Sequence, residues 1–172
     1  LNHSFTALST GGFSTKTDSI AAFGNPLVEA VLSLFMILAA INFALYYNLF
    51  KLNIRRVISD VESKTLIVII IISGALVALM LGLSYSTVAP TMTNSYFNVI
   101  SIITTTGYTS TNLLLWPIAA QVLLLILMLL GGSAGSTAGG LKIWRAIVLY
   151  KIGMREVERI SLPPSVIRAV KI

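Results

Sequence analysis

The chain has 172 residues, of which 56% are hydrophobic and only 10% are charged, with a mean hydropathy of +0.89. A water-soluble domain carries about 25% charged residues, so too few charges remain here to cover a surface facing water, and lipid is the implied solvent. The net charge of +6 does not point to nucleic acid. Lys51, Arg55, Arg56 and Lys64 lie between two apolar runs, Lys142, Arg145, Lys151, Arg155, Arg159, Arg168 and Lys171 follow the last run, and only Lys16 lies elsewhere. That is the positive-inside distribution of a polytopic membrane protein, not a basic face interleaved with aromatics. The absence of cysteine excludes disulfides and thiolate metal sites, and the lone His3 reads as a structural or solvated residue.

Neither an initiator Met nor a charged leader opens the sequence, which therefore reads as an internal piece of a longer protein. Pro26 to Phe50 is the first long apolar run. Asn25 is a natural N-cap and Pro26 suits the first helical turn. Its 25 residues would extend roughly 37 Å as one helix, enough to cross a bilayer with some tilt. Asn42 and Asn48 interrupt it and read as contacts to a neighbouring helix.

Lys51 to Lys64 reads as a cytoplasmic, partly helical connector. Leu66 to Tyr85 is a second span, apolar all round, with Gly74 and Gly82 open to close approach of another helix. Ser86 to Asn94 lacks Lys and Arg and contains Pro90, so it is placed outside. Tyr96 to Ile103 with its flanks reaches roughly 18 Å as a helix. That is too short to cross, but suits a segment that dips in and returns.

Trp116 to Leu130 begins a third span. It meets Gly131-Gly132-Ser133-Ala134-Gly135-Ser136-Thr137-Ala138-Gly139-Gly140, and the helical pattern resumes at Leu141 and runs to about Lys151. The rest, Ile152 to Ile172, is basic, contains Pro163-Pro164 and belongs in the cytoplasm.

The central feature is an internal repeat. Ser9-Thr10-Gly11-Gly12-Phe13-Ser14-Thr15 and Thr104-Thr105-Thr106-Gly107-Tyr108-Thr109-Ser110 align at an offset of 107 − 12 = 95 positions. A short amphipathic stretch precedes each, and a membrane span follows each. Consecutive backbone carbonyls of an extended strand can replace the hydration shell of K⁺ when they point to one side. Glycine tolerates the dihedrals this requires, Thr and Ser add hydroxyl oxygens, and an aromatic after the glycine can hold the loop open. Four such loops must surround one axis, so neither is sufficient alone. A phosphate-binding Gly-rich loop from Gly135 would need Lys at 141, where Leu stands.

Thr105-Thr106-Gly107-Tyr108 is similar to the Thr-Val-Gly-Tyr filter of K⁺ channels. With Ser9 to Thr15, the chain resembles the Trk/Ktr/HKT superfamily of K⁺ transporters, most closely its bacterial TrkH branch, over essentially its whole length. The resemblance implies an all-α integral membrane fold of helix–pore-loop–helix repeats with re-entrant pore helices. Residues 1–50 would end the second repeat, 51–65 would be a cytoplasmic connector, 66–151 would be the third repeat and 152–172 a cytoplasmic segment. It implies K⁺ uptake, with ion-binding positions at Ser9, Thr10, Gly11, Gly12, Thr104, Thr105, Thr106 and Gly107. Residues 131–140 would be a gate loop in a broken inner helix, formed by Gly131, Gly132, Ser133, Gly135, Ser136, Thr137, Gly139 and Gly140.

K⁺ is then the cargo and no cofactor is implied. The resemblance further implies a bacterial or archaeal cell membrane, the missing first and fourth repeats, a homodimer, and a cytosolic nucleotide-binding regulatory subunit. The rivals are an ordinary tetrameric K⁺ channel subunit, against which two unlike filters in one chain argue, and a non-transporting structural subunit. A membrane protease would need acidic or His residues inside the spans. None lies in 66–85 or 116–140.

Overall fold

The computed structural model describes residues 1–84 and 88–160. The expectations for Tyr85, for Ser86 and for the basic tail with Pro163-Pro164, Arg168 and Lys171 lie outside the described residues. The described chain is all helical: α1 (Asn2–Leu8), α2 (Pro26–Ala40), α3 (Phe43–Phe50), α4 (Ile54–Ile58), α5 (Val61–Ser84), α6 (Val88–Ile103), α7 (Ile118–Leu130) and α8 (Ile143–Ile160), with short 3₁₀ turns at Ser19–Phe23 and Leu113–Leu115.

Local sequence explains most of the starts. Asn25 caps α2 by accepting the Leu27 amide at 2.9 Å, with Pro26 behind it. Asp60 does the same for α5 through the Ser63 amide at 2.8 Å, so that helix begins at Val61, inside the stretch expected to be connector. Helix α6 begins at Val88 rather than near Tyr96. Pro90 falls in its first turn, where no intrahelical acceptor precedes an amide and a missing N–H costs nothing.

Helix α6 is the hub. Phe97, Val99, Ile100 and Ile103 are buried on it, and it packs against α5, α2 and α7. The face of α5 turned inward carries Leu66, Ile70, Ser73, Gly74, Val77, Ala78 and Leu81, a helical stripe. A Cβ on Gly74 would stand 2.4 Å from the Tyr96 ring, whereas nothing lies within 4 Å of one on Gly82. Of these two glycines, only Gly74 serves the close approach of another helix.

The outer face is apolar. Leu27, Val31, Leu34, Ile67, Ile71, Leu79, Val122, Leu125 and Leu129 are all exposed, a surface unsuited to water. At 24 residues, or about 36 Å, α5 is the one described helix long and apolar enough to cross a membrane.

The structure corrects the first span. Pro26 to Phe50 is not one helix, because α2 and α3 meet at 91°. Ile41 is extended, and Asn42 caps α3 by accepting the Ala44 amide at 2.9 Å. The third span breaks where expected, but the break extends to Lys142, and α8 runs from Ile143 to Ile160 rather than from Leu141 to Lys151. Gly140 and Lys142 both have positive φ, 75° and 66°, which no helix accommodates.

Candidate functional site

The two Thr/Gly segments have the same backbone. At the end of α1, the amides of Ser9, Thr10, Gly11 and Gly12 donate to the carbonyls of Phe5 (3.0 Å), Ala7 (3.3 Å), Thr6 (2.8 Å) and Thr6 again (3.4 Å). At the end of α6, the amides of Thr104, Thr105, Thr106 and Gly107 donate to Ile100 (3.0 Å), Ile102 (3.0 Å), Ser101 (2.9 Å) and Ser101 again (3.1 Å). Every donor and every acceptor is displaced by 95 positions. Dihedrals repeat as well: Thr10 and Thr105 have φ of 50° and 58°, and Gly12 and Gly107 have 66° and 84°. A β-branched residue with positive φ is an outlier that costs roughly 1–3 kcal/mol, and here it occurs twice at matched positions. With their amides turned back onto the helix ends, both segments leave their carbonyls free of helical partners.

The segments also touch. A Cβ on Gly12 would stand 1.8 Å from the Thr106 carbonyl oxygen, so the bare α-carbon is what lets the first loop lie against the second. Tyr108 follows Gly107 and is fully buried. Its hydroxyl bonds Thr6 Oγ1 and donates to the His3 carbonyl at 3.2 Å, so the aromatic of the second loop locks onto the helix of the first. Phe13, its counterpart, is 73% exposed.

His3 has a structural setting. Its Nε2 lies 2.9 Å from Ser14 Oγ, and its ring meets Phe23 edge-on at 5.2 Å. Asn98, 95 residues later, donates to Ser110 Oγ at 2.9 Å while fully buried. The Thr109 carbonyl accepts the amides of Ile20 and Ala21, both at 3.2 Å. Beside it, Thr17, Asp18, Thr109, Thr111 and Asn112 line an open polar hollow of about 360 Å³.

The 131–142 loop lies directly against both segments. Thr10 Oγ1 donates within reach of the Thr137 carbonyl (2.9 Å) and the Ser9 carbonyl (2.8 Å). Thr105 Oγ1 accepts the Gly139 amide at 2.6 Å. Thr137 Oγ1 lies 3.1 Å from both the Leu8 and the Ala39 carbonyls.

The loop also fills the α2–α3 bend: the amides of Ser133 and Thr137 donate to Ala40 and Ala39, and Phe43 donates to Gly135. Glu62 at the start of α5 accepts the Ala134 amide at 2.6 Å, and the Lys142 ammonium donates to the Ser136 and Ala138 carbonyls. Gly131, Gly132 and Ser133 are buried, whereas Gly135, Thr137, Gly139 and Gly140 are exposed.

Two expected hydroxyls are turned elsewhere. Thr104 Oγ1 donates back to the Ile100 carbonyl at 2.8 Å and meets Thr106 Oγ1 at 2.9 Å. Thr10 and Thr105 are the residues of the two segments whose hydroxyls reach the loop.

The TrkH family, described as a cation transport protein, matches residues 1–172. The chain belongs to this family. It is 34% identical over 169 residues to the Trk system potassium uptake protein TrkH of Escherichia coli K12, an alignment covering 96% of this chain and 35% of that protein. The corresponding protein of Halomonas elongata is 37% identical over 177 residues, covering 100% of this chain and 36% of that protein. The crystal structure of the potassium transporter TrkH from Vibrio parahaemolyticus superposes with a TM-score of 0.90 at 32% identity, over 98% of this chain and 37% of that one. The chain thus spans about a third of the length of the TrkH-family proteins it matches.

Sequence reading missed Thr6, Glu62 and Asn98, and gave Asn42 as a contact to a neighbouring helix where the structure has a cap. Carrying the 95-residue offset back into the preceding helix pairs Thr6 with Ser101 and His3 with Asn98, a signal that would have found two of them. Asn42 caps α3 locally, whereas Glu62 acts on the distant loop, and no local pattern marks it.

Proposed function

We propose that this chain forms two adjoining quarters of a K⁺-selective pore in a multi-pass membrane transporter. In this reading α1 and α6 are pore helices that enter from the outer side and return. The carbonyls of Thr10, Gly11, Gly12, Thr105, Thr106 and Gly107 face the permeating ion and substitute for its water, with Ser9 and Thr104 at the inner ends. The 131–142 loop is the gate below them. The first and fourth quarters come from the remainder of the full-length protein. The basic residues of the connector and of α8 face the cytosol, where a nucleotide-binding regulatory subunit would dock on a homodimer of the complete transporter.

The observation that carries this reading is the fourfold set of amide-to-carbonyl bonds repeated at the 95-residue offset. Duplicated side chains could arise from packing alone. Duplicated positive φ at paired threonines and glycines supports a shared use of the carbonyls. The names of the relatives supply K⁺ as the cargo. Replacing Gly107 by Ser in the full-length protein tests it. A side chain at φ of 84° disfavours the filter backbone, so uptake should lose preference for K⁺ over Na⁺. Unchanged selectivity in a variant present at normal abundance would sink the assignment.

A further inference from the structure

Thr10 and Thr105 occupy the same place in the two segments, and both throw their hydroxyls at the backbone of one loop. Thr10 donates to the Thr137 carbonyl at 2.9 Å, and Thr105 accepts the Gly139 amide at 2.6 Å. Bond polarity is opposite in the two cases, which a hydroxyl permits because it carries one proton and two lone pairs. Gly139 fits the contact: a Cβ there would lie 3.3 Å from Thr105 Oγ1, tighter than most real contacts. The positive φ at both threonines is the backbone setting from which both side chains reach the loop.

We propose that these two hydroxyls have alternative partners: the loop backbone when the path is shut, and the permeating cation when the loop withdraws. The inference rests on the filter and gate reading above. While the loop is seated, its Gly139 amide takes a lone pair of Thr105 Oγ1 and its Thr137 carbonyl holds the Thr10 proton, so the loop blocks the path and fixes both hydroxyls. Once it leaves, Thr105 Oγ1 turns the freed lone pair to a cation, and Thr10 keeps the Ser9 carbonyl as its acceptor at 2.8 Å while its own lone pairs meet the ion. An ion arriving at the inner end then competes with loop closure, which couples occupancy to gating without any further part.

Thr→Val keeps the shape and removes the hydroxyl, and Thr→Ser restores it. In an otherwise cysteine-free full-length transporter carrying Ser136→Cys, modification by a cytosol-side thiol reagent reports loop withdrawal. Losing one loop hydrogen bond should speed labelling about twofold to tenfold for Thr10→Val or Thr105→Val, and multiplicatively for the pair. The same variants should raise the KM for K⁺ uptake, and the Ser versions should reverse both effects.

Labelling at the unaltered rate in the Val variants overturns the latch. Faster labelling with an unchanged KM for K⁺ overturns the exchange of partners. Gly107→Ser separates this from the underlying reading: if it shifts selectivity while the Val variants do nothing, the exchange alone fails, and if it does not, the filter assignment fails first.

Discussion

Gly12 and Gly107 are equivalent in backbone but not in surroundings, and the difference yields a sharp test of the four-quarter arrangement. Alanine at either position meets a positive φ, which costs roughly 1–2 kcal/mol for an L-residue, or a factor of about 5–30 in the population holding the native loop. At Gly107 that is the whole cost within this chain, since nothing lies within 4 Å of the added Cβ. At Gly12 the Cβ stands 1.8 Å from the Thr106 carbonyl oxygen, against a practical floor of 3.0 Å, so one loop must retreat by at least 3.0 − 1.8 = 1.2 Å. Gly12→Ala should therefore abolish selective uptake.

If four such loops surround one axis, each glycine abuts a carbonyl of the next loop, and Gly107 faces a following segment in the complete protein. Gly107→Ala should then be as damaging as Gly12→Ala. The assay is Rb⁺ uptake with Na⁺ competition by the full-length variants, in cells lacking other K⁺ uptake, normalised to membrane abundance. A Gly107→Ala transporter that keeps its selectivity while Gly12→Ala loses it would refute the axial arrangement at that junction. A selective Gly12→Ala protein would refute the contact itself.

Gly74→Ala should lower the melting temperature of the detergent-solubilised protein, because its Cβ overlaps the Tyr96 ring at 2.4 Å and overpacking costs about 1–3 kcal/mol; Gly82→Ala, with open space, should leave it unchanged or higher through about 1 kcal/mol of helix propensity. Glu62→Ala strips the Ala134 amide of its acceptor, a loss of about 1–3 kcal/mol. It should speed labelling of Ser136→Cys, whereas Glu62→Gln, which keeps a carbonyl oxygen, should not. Asn42→Ala removes the cap on the Ala44 amide, worth about 1 kcal/mol, and should be visible as faster hydrogen exchange across α3. Arg55→Cys in the connector should react with impermeant reagents from the cytosolic side alone, and external labelling would overturn the orientation.

What could be read from the sequence is what local chemistry fixes. Five glycines in residues 131–140 cannot sustain a helix, and the chain does break there. Asn25-Pro26 starts a helix because the cap and the fixed proline φ act within one turn. The twin loops were legible because their glycines and threonines encode their own dihedrals. The 91° bend at Ile41-Asn42 was not, since no Gly or Pro marks it and the loop that holds it lies about ninety residues away in sequence. Pro90 misled for a related reason: it breaks a helix interior but suits a first turn, and only the position of the helix start distinguishes the two. The direction of the Thr104 hydroxyl was not legible either, because a hydroxyl at a helix end can turn back onto the helix.

The bend and the loop use one set of groups. In an unbroken helix the amide of Phe43 would take the Ala39 carbonyl and that of Ala44 would take Ala40, four residues back. Instead Phe43 donates to Gly135, Ala44 donates to the Asn42 side chain, and the carbonyls of Ala39 and Ala40 accept Thr137 and Ser133. The amides of Phe43 and Ala44 carry one proton each and cannot serve both arrangements. Away from water, a carbonyl with no donor is costly, so the loop cannot leave its seat and keep the bend unless something else satisfies Ala39 and Ala40. Straightening α2 into α3 would satisfy them, and would also remove the amides that hold the loop to the bend. A seated loop and a continuous α2–α3 helix are alternatives. The polar residue at the corner, Asn42, is therefore a cap that makes the bent arrangement affordable in backbone hydrogen bonds, and not an interruption of an otherwise apolar span.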